Sequence, residues 1–308
     1  MKNIAFIINP ISGTQNKKKL PKYIDQLLDK EQWLPNIIFT EYAGHATELA
    51  HQYAMMGFDA VVAVGGDGTL NEVARGLRDS KTAMGIIPMG SGNGFARHLN
   101  IPLRANNAIE MLNHSEPISV DYGIVTPIDD EGNERTDDER MFISTCGTGF
   151  DALIAEHFDK DGSRGFKTYF EKVIKDFVTY KPQEYTIHVN GEKQEDIQQK
   201  AFLITFANAS QWGYEARIAP KASIQDGRMD ICIMHSNAIL GAPSLALRLF
   251  TKSLDQSMFM DTYRARDIVV TRGEKAPFHI DGDPVEMSKD MRIKIVADGL
   301  RVLVEKRF

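Results

Sequence analysis

Three stretches of this chain combine glycine with small hydroxyl and amide side chains, and each directly follows an apolar run. Gly65-Gly66-Asp67-Gly68-Thr69-Leu70-Asn71-Glu72 follows Val61-Val62-Ala63-Val64, and Asn9-Pro10-Ile11-Ser12-Gly13 follows Ile4-Ala5-Phe6-Ile7-Ile8. The third, Gly90-Ser91-Gly92-Asn93-Gly94, follows the run that ends at Pro88. Glycine lets backbone approach a polyphosphate closely, and a helix that begins right after it offers unpaired N–H groups and a favourable dipole. Serine and asparagine side chains suit contacts to a ribose or a phosphate. Asp67 has a carboxylate to hold a metal or orient a nucleophile, and Thr69 is expected to cap the helix that follows. One such loop is only a turn; three on one sheet edge call for a nucleotide. Neither the Gly-Lys-Ser/Thr of a Walker A loop nor the protein-kinase sequence set is present.

Two acidic turns stand apart from these loops. His279-Ile280-Asp281-Gly282-Asp283-Pro284 sets two carboxylates on either side of a glycine, and Asp226-Gly227-Arg228-Met229-Asp230 is a second acidic cluster. Read alone, each is a tight turn between strands, because Asp and Gly favour turns. His45 has no partner at ligand spacing and is expected to orient a loop. Cys146 and Cys232 are each isolated, which fits neither a disulfide framework nor a zinc site and points to a reducing cytoplasm.

The elements that must position these residues follow from pattern. The 308 residues carry 43% hydrophobic and 25% charged side chains, as in an ordinary globular protein, and two domains are expected. A formal net charge of −6 argues against a nucleic-acid partner. No stretch of roughly 18 apolar residues appears, so no transmembrane segment is expected, and the first apolar run is too short for a signal peptide. Strands are expected near 3–9, 36–40, 59–64, 83–88 and 118–125, with helices near 17–30, 45–56, 69–78 and 104–113. That alternation predicts a Rossmann-like α/β domain with a mainly parallel sheet over 1–122, its loops gathered at the carboxyl ends of the strands. The acidic stretch 126–140 reads as an exposed hairpin tip or loop. Beyond it, short apolar runs at 141–145, 185–189, 201–208, 229–234, 267–271 and 291–296 predict a β-rich antiparallel sandwich over 123–308, whose last few residues could return to the first domain. Helices are expected at 163–180 and 239–258; the apolar stripe of the second is read as a core face, with a lipid-slot wall or membrane contact as the sharper reading.

With these motifs in hand, the chain resembles the diacylglycerol kinase / sphingosine kinase superfamily, most of all its soluble bacterial lipid-kinase members, over nearly its whole length. The loops above, Thr40 with Gly44-His45-Ala46, Asp121-Tyr122-Gly123 and Gly149-Phe150-Asp151-Ala152 fall in family order. Gly94 departs from it, since the family usually has Asp after the Asn. The resemblance implies an ATP site lined by Asn9, Ser12, Gly13, Thr40, Gly66, Asp67, Gly68, Thr69, Asn71, Glu72, Ser91, Gly92 and Asn93. It implies that Asp281 is the general base and Asp283 its neighbouring carboxylate, one methylene shorter than the usual Glu, with Asp67 as a further catalytic acid. It also implies a structural Mg²⁺ near Asp226 and Asp230. The expected activity is Mg-ATP-dependent phosphorylation of a lipid hydroxyl (a diacylglycerol, a related glycerolipid or a sphingoid base) in an interdomain cleft, by a cytoplasmic enzyme transiently peripheral at the membrane, where its substrate is presented. NAD kinase and a nucleotide-binding lipid sensor without kinase activity are the alternatives. The lipid is left open, and so is oligomeric state, a homodimer being one option.

Overall fold

The computed structural model describes residues 1–13, 17–161, 176–177, 179–191 and 196–306. The chain forms two compact units: Met1–Tyr122 with Ala297–Phe308, and Gly123–Val296.

In the first unit, β1 (Lys2–Ile8), β2 (Trp33–Phe39), β3 (Ala60–Gly65) and β4 (Ala83–Pro88) lie in the order β4-β3-β1-β2. All three pairings are parallel. β3 and β4 are buried at every residue, as continuous apolar strands covered on both faces must be. Helices α1 (Leu20–Leu27), α2 (His45–Met55), α3 (Asp67–Leu77), α4 (Gly94–His98) and α5 (Ala105–Leu112) connect the strands. β2 begins three residues before the expected start and contains Pro35. It is the edge strand, where a residue without an N–H is tolerated.

The second unit begins within β5 (Ser115–Ile128), which makes a hairpin with β6 (Arg140–Phe142) across the acidic stretch. It continues through β7 (Thr145–Gly149), α6 (Phe150–Asp161), β8 (Gln183–Val189), β9 (Ile197–Ala207), β10 (Met229–His235), α7 (Ala242–Phe250), β11 (Met260–Ala265), β12 (Asp267–Arg272), β13 (Phe278–Ile280), β14 (Asp283–Val285) and β15 (Asp290–Glu305). Pairing is antiparallel: β9 with β7, β8 and β10, β12 with β8 and β15, β13 with β7 and β14, β10 with β11. This is the β-rich sandwich that the apolar spacing predicts. Alternation along β10 supplies its two cores: Ile231 and Ile233 join one cluster with Phe206, Ile268 and Ile293, while Cys232 and Met234 join another with Phe202, Leu203 and Leu245.

β15 starts in the second unit, pairing with β12, and ends in the first, where Val302 lies beside Met84 of β4. The expected helix over 239–258 is broken. A 3₁₀ turn at Ala238–Gly241 leads into α7, which stops where Lys252 takes a left-handed conformation (φ +58°), and a second 3₁₀ turn covers Leu254–Gln256. Most of the helix expected at 163–180 lies outside the described residues.

Candidate functional site

The three glycine loops of the first unit follow β1, β3 and β4 and are joined to one another. Asn9 Nδ2 donates to Thr69 Oγ1 at 3.0 Å, which links the first loop to the second. Asp67, in the first turn of α3, accepts from the backbone N–H of Asn93 and of Gly94, both at 2.9 Å, which links the second to the third. Loop backbones also meet directly. A Cβ on Gly90 would lie 2.4 Å from Cα of Gly66, and one on Gly13 would lie 1.9 Å from the carbonyl oxygen of Met89, so only glycine fits at either position. Asn93 folds its side chain back on Gly90, accepting from its N–H and donating to its carbonyl.

Not every residue read as ligand-facing points that way. Glu72 accepts from the N–H groups of Gly44 and Ala46, and its carbonyl accepts from the Thr47 hydroxyl, so it fastens α2 to α3. Thr69 is not the helix cap: α3 begins at Asp67 with Gly66 before it, and the Thr69 hydroxyl, buried, faces Asn9. Thr40 uses its backbone N–H on Ile8 at the end of β1. Gly66, Gly68, Asn71, Ser12, Ser91 and Gly92 all lie in the joined loops or the first turns of α3. His45 accepts from the N–H of Glu41 and stacks on Tyr42, a loop-orienting role. At position 94 the backbone N–H binds Asp67, so the contact does not depend on the missing Asp side chain.

Lys17 had no signal in the sequence, because nothing in a run of three lysines says which is buried. Its side chain turns back under the first loop, and its ammonium donates to the Asn9 carbonyl at 2.6 Å and to the carbonyl and hydroxyl of Ser12. Burial pulls its pKa down to about 8.

The acidic turn of the second unit is a two-residue hairpin between β13 and β14. Asp281 (φ +50°) and Gly282 (φ +89°) both have positive φ, the signature of a type I′ turn that Asp-Gly favours. The Asp281 carboxylate points inward, 9% exposed. Oδ1 accepts from the N–H of Ser144 at 2.7 Å and of Thr145 at 3.0 Å, and Oδ2 from Ile143 at 2.9 Å. Its own N–H donates to the Thr145 carbonyl. Asp283, two residues on, is exposed.

A buried relay backs this hairpin. Gly282 N–H donates to Nδ1 of His279 at 3.4 Å, and Nε2 of His279 lies 3.2 Å from Oδ2 of Asp151. With Nδ1 accepting, the ring proton sits on Nε2 and is donated to Asp151. The Thr205 hydroxyl donates to the same oxygen at 2.7 Å. Both His279 and Asp151 are almost wholly buried. Cys146, on the strand beside them, is inert as a thiolate: burial, then Asp281 and Asp151, push its pKa up. Arg272, fully buried, donates to the carbonyls of Ala276, Met287, Ser288 and Lys289, clasping both ends of the segment that carries the hairpin. Gln211 lies four residues beyond the end of β9, whose last residue pairs with Thr145; it is fully buried and both polar atoms of its amide lack a partner. Sequence reading singled out neither Arg272 nor Gln211.

Asp226 and Asp230 are bridged by a guanidinium. Arg264 pairs with Asp226 through one nitrogen and reaches Asp230 at 3.5 Å through another. Burial pushes Asp230 up to about 6, with Arg264 pulling the other way. Carboxylates are the right oxygen donors for Mg²⁺, but these two already share a cation, and a metal ion there would have to displace Arg264. Among the described residues no group of three or more His, Cys, Asp or Glu side chains gathers for a metal.

Comparison with known proteins bears on both units. Residues 3–125 match the family described as "Diacylglycerol kinase catalytic domain", and residues 144–304 the "YegS C-terminal NAD kinase beta sandwich-like domain". The chain is 30% identical over 295 residues to "Diacylglycerol kinase" of Bacillus subtilis (strain 168), covering 92% of this chain and 90% of that protein. It is 24% identical over 264 residues to "Probable lipid kinase YegS-like" of Yersinia enterocolitica, covering 84% and 83%. A crystal structure of a diacylglycerol kinase from Bacillus anthracis superposes with a TM-score of 0.71 at 17% identity, over 98% of this chain and 96% of that one. Yeast NADH kinase complexed with NADH superposes with a TM-score of 0.52 at 10% identity, covering 99% and 84%, a likeness of fold alone.

Two outcomes follow from this geometry. Asp281→Asn sets an amide NH₂ against backbone donors, and should cost about 1.5–3 kcal/mol of stability by chemical denaturation, whereas Asp283→Asn at its exposed position should stay within about 0.5 kcal/mol. For Lys17 the folded pKa, about 8, lies below the ordinary 10.5, so the charge opposes folding at lower pH and that penalty fades as pH rises from 8 toward 10.5. Wild type should therefore gain stability relative to Lys17→Met across that interval, read as the difference in denaturation midpoints.

Proposed function

The chain belongs to the diacylglycerol kinase family of lipid kinases, and from that premise we propose that it transfers the γ-phosphate of Mg-ATP to the hydroxyl of a diacylglycerol, a related glycerolipid or a sphingoid base. The observation that carries the proposal is the hydrogen-bonded union of three glycine loops at the carboxyl ends of β1, β3 and β4. Asn9, Ser12, Gly13, Thr40, Gly66, Gly68, Thr69, Asn71 and Ser91 to Asn93 would receive the nucleotide. Close backbone approach and the N-terminus of α3 supply N–H groups for its phosphates, while Asp67 and Glu72 hold that geometry from behind. Magnesium bound to the phosphates would neutralise charge that builds on the transferred group.

Asp281 is the residue assigned to the acceptor hydroxyl. Three backbone donors fix its carboxylate, so it would meet the hydroxyl without reorganising. An aspartate is a weak base for an alcohol, so most of the acceleration must come from alignment and charge neutralisation, with proton removal late in a loose transition state. Asp283 adds charge at the mouth of the same hairpin. No step is assigned to Asp226 and Asp230.

Lipid access is assigned to the outer face around α7. Leu245 and Leu254 are buried and Leu249 packs against the same cluster, but Leu240, Leu247, Phe250 and Met258 are 77%, 66%, 57% and 81% exposed. The stripe thus divides into a core side and a bare apolar side, and with a net charge of −6 contact with a membrane would be apolar rather than charge-driven.

Labelled phosphate from Mg-ATP, offered to a detergent-dispersed lipid panel with NAD included, tests the assignment. Label should appear in one lipid class, and Asp281→Asn should lower kcat by at least about 10²-fold while ATP binding is kept. Label in NAD would overturn the lipid assignment, and ATP binding with no transfer to any acceptor would favour a sensor. Separately, Leu247→Asp with Phe250→Asp should abolish binding and turnover on vesicles but leave turnover of a detergent-dispersed lipid intact; unchanged vesicle binding would remove α7 from the membrane contact.

A further inference from the structure

At the amino-terminal edge of the first unit's sheet, opposite the glycine loops, lies a cavity of about 580 Å³ that none of the chemistry above uses. Its rim carries Lys2 at the start of β1, Lys81 just before β4, and Arg301 on β15, with Asp59 as the one acidic side chain in the lining. Asp59 is already engaged, its carboxylate accepting from the N–H of Asn3. Phe58, Ala83, Pro117 and Leu303 supply the apolar part of the lining, which they share with Thr82 and Ser115.

Three observations give this cavity the character of a binding site. Its charge is net positive in a chain whose formal charge is −6, so the basic groups are concentrated against the trend of the whole molecule. Arg301 is held in place: Nη1 donates to the Lys81 carbonyl at 2.8 Å, which fixes the plane of the guanidinium and leaves the other edge of the fork to a ligand. Trp33 forms part of the wall, is only 3% exposed, and its indole N–H is buried without an acceptor. Trp33 thus lies directly beneath the lining, where a bound ligand changes the surroundings of its ring. The Lys2 ammonium lies over the same ring, 5.5 Å from its centre, which holds a positive charge against this wall.

We propose that this cavity is a second ligand site, taking a phosphate monoester or diester whose anionic head meets Arg301, Lys81 and Lys2 and whose remaining body lies on the apolar part of the lining. The volume suits a small molecule rather than a macromolecule. The same phosphate chemistry could arrive on a free metabolite or on the headgroup of an anionic phospholipid.

Trp33 reports on its own site. The chain has two tryptophans, so in a Trp212→Phe background the indole fluorescence belongs to Trp33 alone. Inorganic phosphate and glycerol 3-phosphate form one arm of the titration, vesicles of phosphatidylglycerol against phosphatidylcholine the other, all at constant ionic strength set with chloride. A saturable change is expected, at least tenfold weaker in Lys81→Gln/Arg301→Gln, whose circular dichroism should match the parent. Response to the soluble phosphates identifies a free ligand, and response only to phosphatidylglycerol vesicles identifies a headgroup. No saturable response in either arm, an equal response to chloride, or an undiminished response in the double variant overturns the proposal.

Discussion

A carboxylate taken out of water must be met by donors, and much of the second unit is arranged around that requirement at Asp281. Three consecutive backbone N–H groups, from Ile143 to Thr145, converge on one side chain. To deliver it there the chain makes a two-residue turn with positive φ at both positions, which selects Asp-Gly. The strands that flank the turn are short, so they are held from behind: by His279 against Asp151 and by Arg272, whose donors take up the carbonyls of the neighbouring loops. The carboxylate is therefore held rigid by the fold itself.

The first unit solves a different problem with the same economy of parts. Parallel strands end on one edge, and the loops that leave them must come close together without crowding one another. Gly66 and Gly90 let two loops touch through their backbones, while Asp67 and Lys17 supply the charges that hold loop N–H and carbonyl groups in place. Several side chains that a motif reader takes for ligands, Glu72 above all, act one layer further back.

Architecture was legible in the sequence because pattern carries it: short apolar runs alternating with helix-period segments mark a parallel sheet, and the spacing of short β-rich runs after residue 140 marks an antiparallel sandwich. The glycine loops and the Asp-Gly hairpin were legible because backbone geometry restricts which residues fit. What escaped depends on three-dimensional partners. Lys17 looks like its lysine neighbours until it is buried; α4 exists where Asp67 engages N–H groups 26 and 27 residues away; α7 ends where Lys252 turns left-handed, which no breaker residue announces. Gln211 and Trp33 are ordinary letters whose unpaired atoms appear only once their surroundings are known.

β15 carries a consequence for synthesis. Its final residues complete the first unit: Val302 beside β4, the Asp79 N–H on the Gly299 carbonyl, the Asp298 N–H on Asp121. Those partners leave the ribosome some two hundred residues after β4. During translation the first unit's sheet must wait with one side of β4 unpaired, a sticky edge exposed for as long as the sandwich takes to emerge. Closing the first unit thus waits until the second has been made, so a ribosome that stalls early leaves behind a sheet that cannot finish itself.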